Sequence, residues 1–167
     1  MSTAGLCMDL VLPWSWRPLA AGQSDRLWAH TGRLLRVVNL SEGQTVRELA
    51  TDAAHARLEA KLDLLLTLLA ETLQPTVAPT SATLSLSTDG CSLPLQGNWQ
   101  AGDGGVLQLY LAPALALPAQ LPSRIRGLDQ GRAQLHWPDM PAEVREQWEQ
   151  WLFRQHRRSV QEHRRQG

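Results

Sequence analysis

Two short apolar runs joined by a polar turn constrain this chain more than any other feature of its sequence. Apolar and polar residues alternate along 82–86, and they alternate again along 91–95. Such alternation predicts two half-buried strands. The intervening stretch 85–90, Ser-Leu-Ser-Thr-Asp-Gly, holds small and turn-forming residues, so the sequence predicts a tight hairpin.

Further strands and a closing helix are predicted around this hairpin. Short runs of similar pattern predict strands at 106–111, 121–128 and 132–137. Short strands at this spacing favour a small antiparallel barrel or sandwich over 81–137. Residues 10–14 predict a short edge strand closed by Pro13. A helix over 141–163 follows, with Pro141 suited to its first turn.

Helical patterns occupy the region between the N-terminal strand and the hairpin. Residues 24–40 fit either a helix or a strand, and helix is favoured. Thr45 and Glu48 have the spacing of a capping box, and from there a helix can run to Leu73, before Pro75. The sequence thus predicts a helical region over 24–73.

Leucines form a stripe along the second of these helices. Successive intervals of four, three and four residues are typical of a coiled-coil seam. This much leucine predicts either a helix buried inside the domain or one that packs against other copies, and we favour self-association. The stripe and its flank consist of Leu58, Leu62, Leu65, Leu66, Leu69 and Leu73.

Size and composition predict one globular domain spanning 1–167. The formal net charge is zero, which excludes the strong basic field of a dedicated nucleic-acid binder. Two widely separated cysteines are typical of reduced thiols in a cytoplasmic protein. Residues 1–12 lack the basic leader of a signal peptide, and the densest apolar run, 62–70, is too short to cross a bilayer. We expect a cytoplasmic protein without membrane contact.

Catalytic patterns are missing from the sequence. The five histidines have no metal-ligand spacing, so neither a metal nor another cofactor is expected. There is no nucleophile elbow, and 102–105 is typical of a hairpin turn rather than a phosphate-binding loop. We therefore expect a non-catalytic protein.

The hairpin turn resembles a motif of a known family. Ser87 and Gly90 match the Asp/Asn-x-Ser-x-x-Gly motif of PilZ domains, while Ser85 replaces its first residue. The leucine-rich run 61–66 and the basic run 151–158 are similar to helices of the atypical, tetrameric PilZ proteins. This resemblance implies a PilZ-like β-barrel between a long helix and a basic C-terminal helix, in an α+β fold. It also implies cyclic di-GMP signalling.

Standard PilZ receptors grip cyclic di-GMP with an Arg-x-x-x-Arg motif just before the barrel. No such motif precedes the predicted barrel in this chain, and the nearest pair on that side is Arg33 and Arg36. A charge-assisted hydrogen bond contributes about 1.5–3 kcal/mol. Loss of two therefore weakens binding by about two to four decades. We expect the standard site to be degraded, so the protein would act through oligomerisation, as a dimer or tetramer, and through an unidentified signalling partner.

Arginines of the terminal helix leave a second interpretation open. A direct cyclic di-GMP receptor could combine Ser85, Ser87 and Gly90 with those cations. The arginines in question are Arg154, Arg157 and Arg158. A solvated helix end is the favoured interpretation of this basic run, and nucleic-acid binding is the least favoured because no aromatic platform accompanies it.

Overall fold

A closed β-barrel with two helices forms the described part of the chain. The structure, a computed structural model, describes residues 7–44, 62, 79–112 and 117–166. The strands close in the order β1-β2-β3-β6-β5-β4, each antiparallel to its neighbours. The predicted α+β barrel is confirmed. In chain order the elements are β1 (Cys7–Pro18), α1 (Ser24–Gln44), β2 (Thr80–Ser87), β3 (Gly90–Pro94), β4 (Gly104–Leu109), β5 (Ala119–Asp129), β6 (Arg132–His136) and α2 (Ala142–Gln166).

Strand β1 differs from the predicted short edge strand. Its twelve residues pair with β2 from Cys7 to Trp14 and with β4 from Trp14 to Pro18. The barrel therefore includes a strand that the range 81–137 leaves out. Pro13 is tolerated because it lies one residue before the strand changes partner, where its missing N–H removes little from either ladder. Its carbonyl still accepts a hydrogen bond from Tyr110 N at 3.1 Å.

Two tight hairpins agree with the sequence. Only Thr88 and Asp89 separate β2 from β3, as the polar turn predicted. Gln130 and Gly131 separate β5 from β6, and both have positive φ, 48° and 75°. Two successive residues with positive φ are typical of a type I′ turn, whose twist matches that of the flanking strands.

The core lies inside the barrel and beneath helix α2. Leu84, Leu86 and other inward-facing side chains of the strands are fully buried. Trp148 and Trp151 of α2 are also buried, and Trp148 contacts Trp137 edge-to-face at 5.0 Å between ring centroids. The helix predicted at 141–163 is confirmed, and its tryptophans attach it to the barrel as such large apolar side chains do.

Helix α1 confirms the first part of the helical region predicted over 24–73. The rest, 45–61 and 63–73, lies outside the described residues, and with it the capping box and five of the six stripe leucines. Those five are Leu58, Leu65, Leu66, Leu69 and Leu73. Leu62 is described, and its side chain is about half exposed. No helix in the described ranges is both long and apolar enough to span a membrane.

A buried hydroxyl fastens α1 to the barrel. Thr31 Oγ1 donates to Gln120 O at 2.7 Å and accepts from Gln120 N at 2.9 Å. Thr31 is fully buried, so no water can replace these bonds. These two hydrogen bonds fix the position of α1 against β5.

We expect Thr31→Val to destabilise the fold by about 1–3 kcal/mol, because it leaves two backbone groups of Gln120 without this partner. Urea unfolding followed by tryptophan fluorescence measures the change. Thr83→Val, on the exposed outer face of β2, is the matched control and should change the free energy of unfolding little. Equal stability of Thr31→Val and the unchanged protein would contradict this account.

Candidate functional site

A cleft of about 300 Å3 lies on the outer face of the barrel beside the β2–β3 turn. Because side chains alternate along β2, Leu84 and Leu86 point inward while Ser85 and Ser87 point outward. Ser85, Ser87 and Gly90, the three predicted site residues of the hairpin, all line this cleft. Strands β1, β3, β5 and β6 supply its other walls.

Both serine hydroxyls are already engaged within the chain. Ser85 Oγ donates to Asp9 Oδ1 at 2.5 Å, across the β1–β2 register that places these residues opposite each other. Ser87 Oγ donates to Gly90 O at 2.9 Å, which closes the turn. A ligand that needs a hydroxyl proton here must break one of these bonds first.

The β2–β3 turn is attached to the first turns of α2. Trp148 Nε1 donates to Ser87 O at 2.9 Å, and Arg145 forms an ion pair with Asp89. The carbonyl of Asp89 also accepts from Trp137 N at 3.1 Å. The turn is therefore held from two sides, and the orientation of its carboxylate depends on α2.

Among the described residues that line the cleft, Arg126 carries the one guanidinium. No hydrogen bond or ion pair engages it within the described part of the chain. Arg126 was not among the site residues predicted from the sequence. The signal was present, since Arg124 and Arg126 alternate with the buried Ile125 on β5 and so share the outer face.

The other polar side chains of the cleft are engaged within the chain. Gln134 Nε2 donates to Ser92 Oγ at 3.2 Å, and the same oxygen accepts from Arg132 Nε at 2.8 Å. His136 Nδ1 lies 3.0 Å from Arg124 O. The cleft thus offers a ligand one unengaged cation and few unengaged hydrogen-bonding groups.

The three arginines predicted from the terminal helix are not among the residues that line the cleft. Arg154 donates to the backbone carbonyl of Asn39, so it joins α2 to α1. Arg157 lies over the Phe153 ring, 5.9 Å from its centroid, and is exposed. Arg158 is exposed as well. The arginine of α2 that reaches the turn is Arg145.

Cys91 lies at the base of the cleft as part of the core. Burial raises the pKa of its thiol to about 12, although the nearby Arg132 charge lowers it in part. The thiol therefore stays protonated near neutral pH and is a poor nucleophile. Across the described residues, no three His, Cys, Asp or Glu side chains group closely enough to hold a metal ion.

Gly90 is required by close packing of β3 against β6. A Cβ at this position would lie 2.0 Å from Leu135 O and 3.1 Å from His136 Cα, and these backbone atoms cannot swing aside as side chains do. The glycine of the turn motif is therefore needed for the strand contact, whatever the cleft binds.

We expect Gly90→Ala to destabilise the protein by about 1–3 kcal/mol or more, because the strands must separate to admit the methyl group. Gly127→Ala is a suitable control, since a Cβ there meets no atom within 4 Å. Urea unfolding compares the two variants. A Gly90→Ala protein as stable as Gly127→Ala would show that β3 and β6 can move apart at little cost in the free energy of unfolding.

Comparison with known proteins agrees with this architecture. Residues 37–165 match the family model described as "Atypical PilZ domain, cyclic di-GMP receptor". A solved structure of a pathogenic protein from Xanthomonas campestris, a tetrameric PilZ domain self-assembled through a helical bundle, superposes with a TM-score of 0.76. The two are 26% identical, over 95% of this chain and 92% of that one. No curated protein matches in sequence. The family match spans most of the chain, which therefore belongs to the atypical PilZ domain family.

Proposed function

We propose that this protein is a non-catalytic, cytoplasmic signalling protein of a cyclic di-GMP pathway that acts through self-association and contacts with another signalling protein. Its cleft binds cyclic di-GMP poorly. The observation that carries the proposal is the single unengaged guanidinium of Arg126 among the described cleft residues. Family membership supports the assignment to a cyclic di-GMP pathway. The charge of the cleft supports action through protein contacts rather than through nucleotide binding.

The electrostatics of the cleft disfavour a ligand with two phosphates. Arg126 can neutralise one phosphate, but the carboxylate of Asp89 lines the same cleft. Asp9 adds a second carboxylate next to Ser85. The Asp9 carboxylate repels a phosphate, while Asp89 keeps Arg145 occupied and so withholds the charge of Arg145 from the ligand. The position where standard receptors carry Asp or Asn holds a serine whose proton is already donated.

Self-association is supported by the leucine stripe and by the structural relative. The Xanthomonas protein assembles as a tetramer through a helical bundle. Leucines of this chain recur at coiled-coil intervals from Leu58 to Leu73. Assembly of this chain through that segment, as a dimer or tetramer, is part of the proposal.

A direct receptor with a non-standard site is the second candidate, and Arg145 favours it. This residue of α2 is paired with Asp89 at the edge of the cleft. If a phosphate displaced the Asp89 carboxylate, Arg145 and Arg126 would provide two cations from two different elements. Guanidinium groups suit phosphates because their planar fork donates two parallel hydrogen bonds. This arrangement would replace the predicted contribution of Arg154, Arg157 and Arg158.

Titration calorimetry with cyclic di-GMP separates the two candidates. We expect a Kd weaker than about 100 µM for the unchanged protein, since two lost cation contacts remove about two to four decades from micromolar affinity. Low-micromolar binding that falls at least about tenfold in Arg126→Ala and Arg145→Ala would establish the receptor instead. Arg124→Ala is the matched control, because Arg124 shares the outer face of β5 but does not line the cleft.

Light scattering after gel filtration tests self-association. We expect the chain to elute at a multiple of its 18.6 kDa mass. Replacing Leu65 and Leu69 together by glutamate should yield a monomer, because carboxylates cannot enter an apolar seam unpaired. Val11→Glu changes an exposed apolar residue of the barrel and should leave the mass unchanged. A monomeric unchanged protein at micromolar concentration would refute this part of the proposal.

A further inference from the structure

A second depression, here called the α1–α2 groove, lies between the middle of α1 and the first turns of α2. Its volume is about 320 Å3. Trp28 and Val144 are buried and supply apolar surface to it, and Gly32 lies between them. A Cβ on Gly32 would approach Val144 Cγ2 to 3.2 Å, so the two helices meet closely at the base of the groove. None of its lining residues belongs to the cleft.

Two arginines form the α1 wall of this groove. Arg33 and Arg36 are exposed, and three residues apart on a helix they lie side by side. Within the described residues neither makes an ion pair or a hydrogen bond. Arg26 extends the same exposed face towards the start of α1. Between residues 24 and 39, three exposed arginines against the single exposed carboxylate of Asp25 give this part of α1 a net positive charge.

The α2 wall of the groove carries a carboxylate and a side-chain amide. Glu143 places an exposed carboxylate there, which accepts hydrogen bonds but donates none. Gln147 Oε1 already accepts from Asn39 Nδ2 at 3.0 Å, so its NH2 group is what it can offer a ligand. The groove therefore favours carboxylates at the α1 wall, and at the α2 wall an N–H donor for Glu143 with an acceptor for the Gln147 amide. A polypeptide carries all of these groups, whereas a phosphate group has no donor for Glu143 and is repelled by it.

We propose that the α1–α2 groove is a docking site for an acidic segment of a partner protein. Carboxylates of the segment pair with Arg33 and Arg36. An aliphatic side chain of the segment contacts the apolar base beside Trp28 and Val144, and N–H groups face Glu143. This inference rests on the proposed function, because it locates the surface by which the protein would contact its partner.

The groove contact gives both affinity and selectivity. Arg33 and Arg36 are solvated in the free protein, so pairing them at the surface contributes modestly per charge. Apolar contact with the base excludes water from the pairs and strengthens them. An acidic segment without an aliphatic residue should therefore bind more weakly, and added salt should weaken binding for any acidic segment.

The test uses the full chain labelled with 15N and a synthetic peptide with blocked ends, in which pairs of glutamates alternate with leucine. A second peptide with glutamine at every glutamate position is the matched probe. Addition of the acidic peptide up to about 1 mM should shift the amide resonances of 29–36 and 143–147, with an affinity of millimolar or better. The double variant of Arg33→Gln and Arg36→Gln should bind at least about tenfold more weakly. The single variant Arg124→Gln, with its exposed arginine on the barrel, should bind as the unchanged protein does.

Three results would overturn the docking site. They are equal binding of the glutamine peptide, resonance shifts confined to other regions, and shifts in the groove that cyclic di-GMP or dilution of the protein alone produces. The last would assign the groove to the nucleotide or to a second copy. Failure here is distinct from failure of the proposed function, because tight cyclic di-GMP binding at Arg126 and Arg145 would refute the latter and leave the peptide result standing.

Discussion

The hydrogen bond from Trp148 Nε1 to the carbonyl of Ser87 joins the terminal helix to the β2–β3 turn, which lines the cleft. The indole is fully buried between Trp137 and Trp151. Replacement by a small residue would cost about 3–5 kcal/mol in lost packing and leave an empty space. Because Trp148 fixes α2 against the β2–β3 turn, it also sets where Arg145 meets Asp89. This contact therefore helps to position Arg145 at the edge of the cleft and Glu143 at the wall of the α1–α2 groove.

Local sequence patterns predicted the elements whose packing depends on residues close together in the sequence. Alternation gave the hairpin of β2 and β3, and the apolar face with its tryptophans gave α2. The length of strand β1 was underestimated because proline is rare inside a central strand, and Pro13 therefore predicts the end of a strand. The register explains it, since the proline lies where β1 leaves β2 for β4. Such a change of partner depends on barrel closure, which no local pattern encodes.

For a related reason, the sequence predicted the residues of the turn that line the cleft but not Arg126. Ser85, Ser87 and Gly90 are close in sequence and were found together, but Arg126 reaches them only through the strand order β3-β6-β5. The arginines predicted from α2, Arg154, Arg157 and Arg158, do not line the cleft. Arg154 lies nine residues beyond Arg145, about 13 Å along the helix at 1.5 Å per residue. A basic run therefore does not reveal which of its cations meets the turn until the direction of the helix is known.

The first turns of α2 divide their side chains between the two surfaces. Arg145 and Trp148 face the β2–β3 turn, whereas Glu143 and Gln147 face the groove. The Asp89–Arg145 pair and the Trp148 hydrogen bond are two direct contacts through which an event at the cleft can alter the groove. Any such effect must also run in reverse, because coupling between two binding equilibria is reciprocal. With Asp89 and Arg145 paired, a phosphate that enters the cleft must compete with an intact carboxylate. Under the proposed function the ion pair therefore opposes a phosphate in the cleft, while the buried Trp148 and Trp151 hold α2 and with it one wall of the groove.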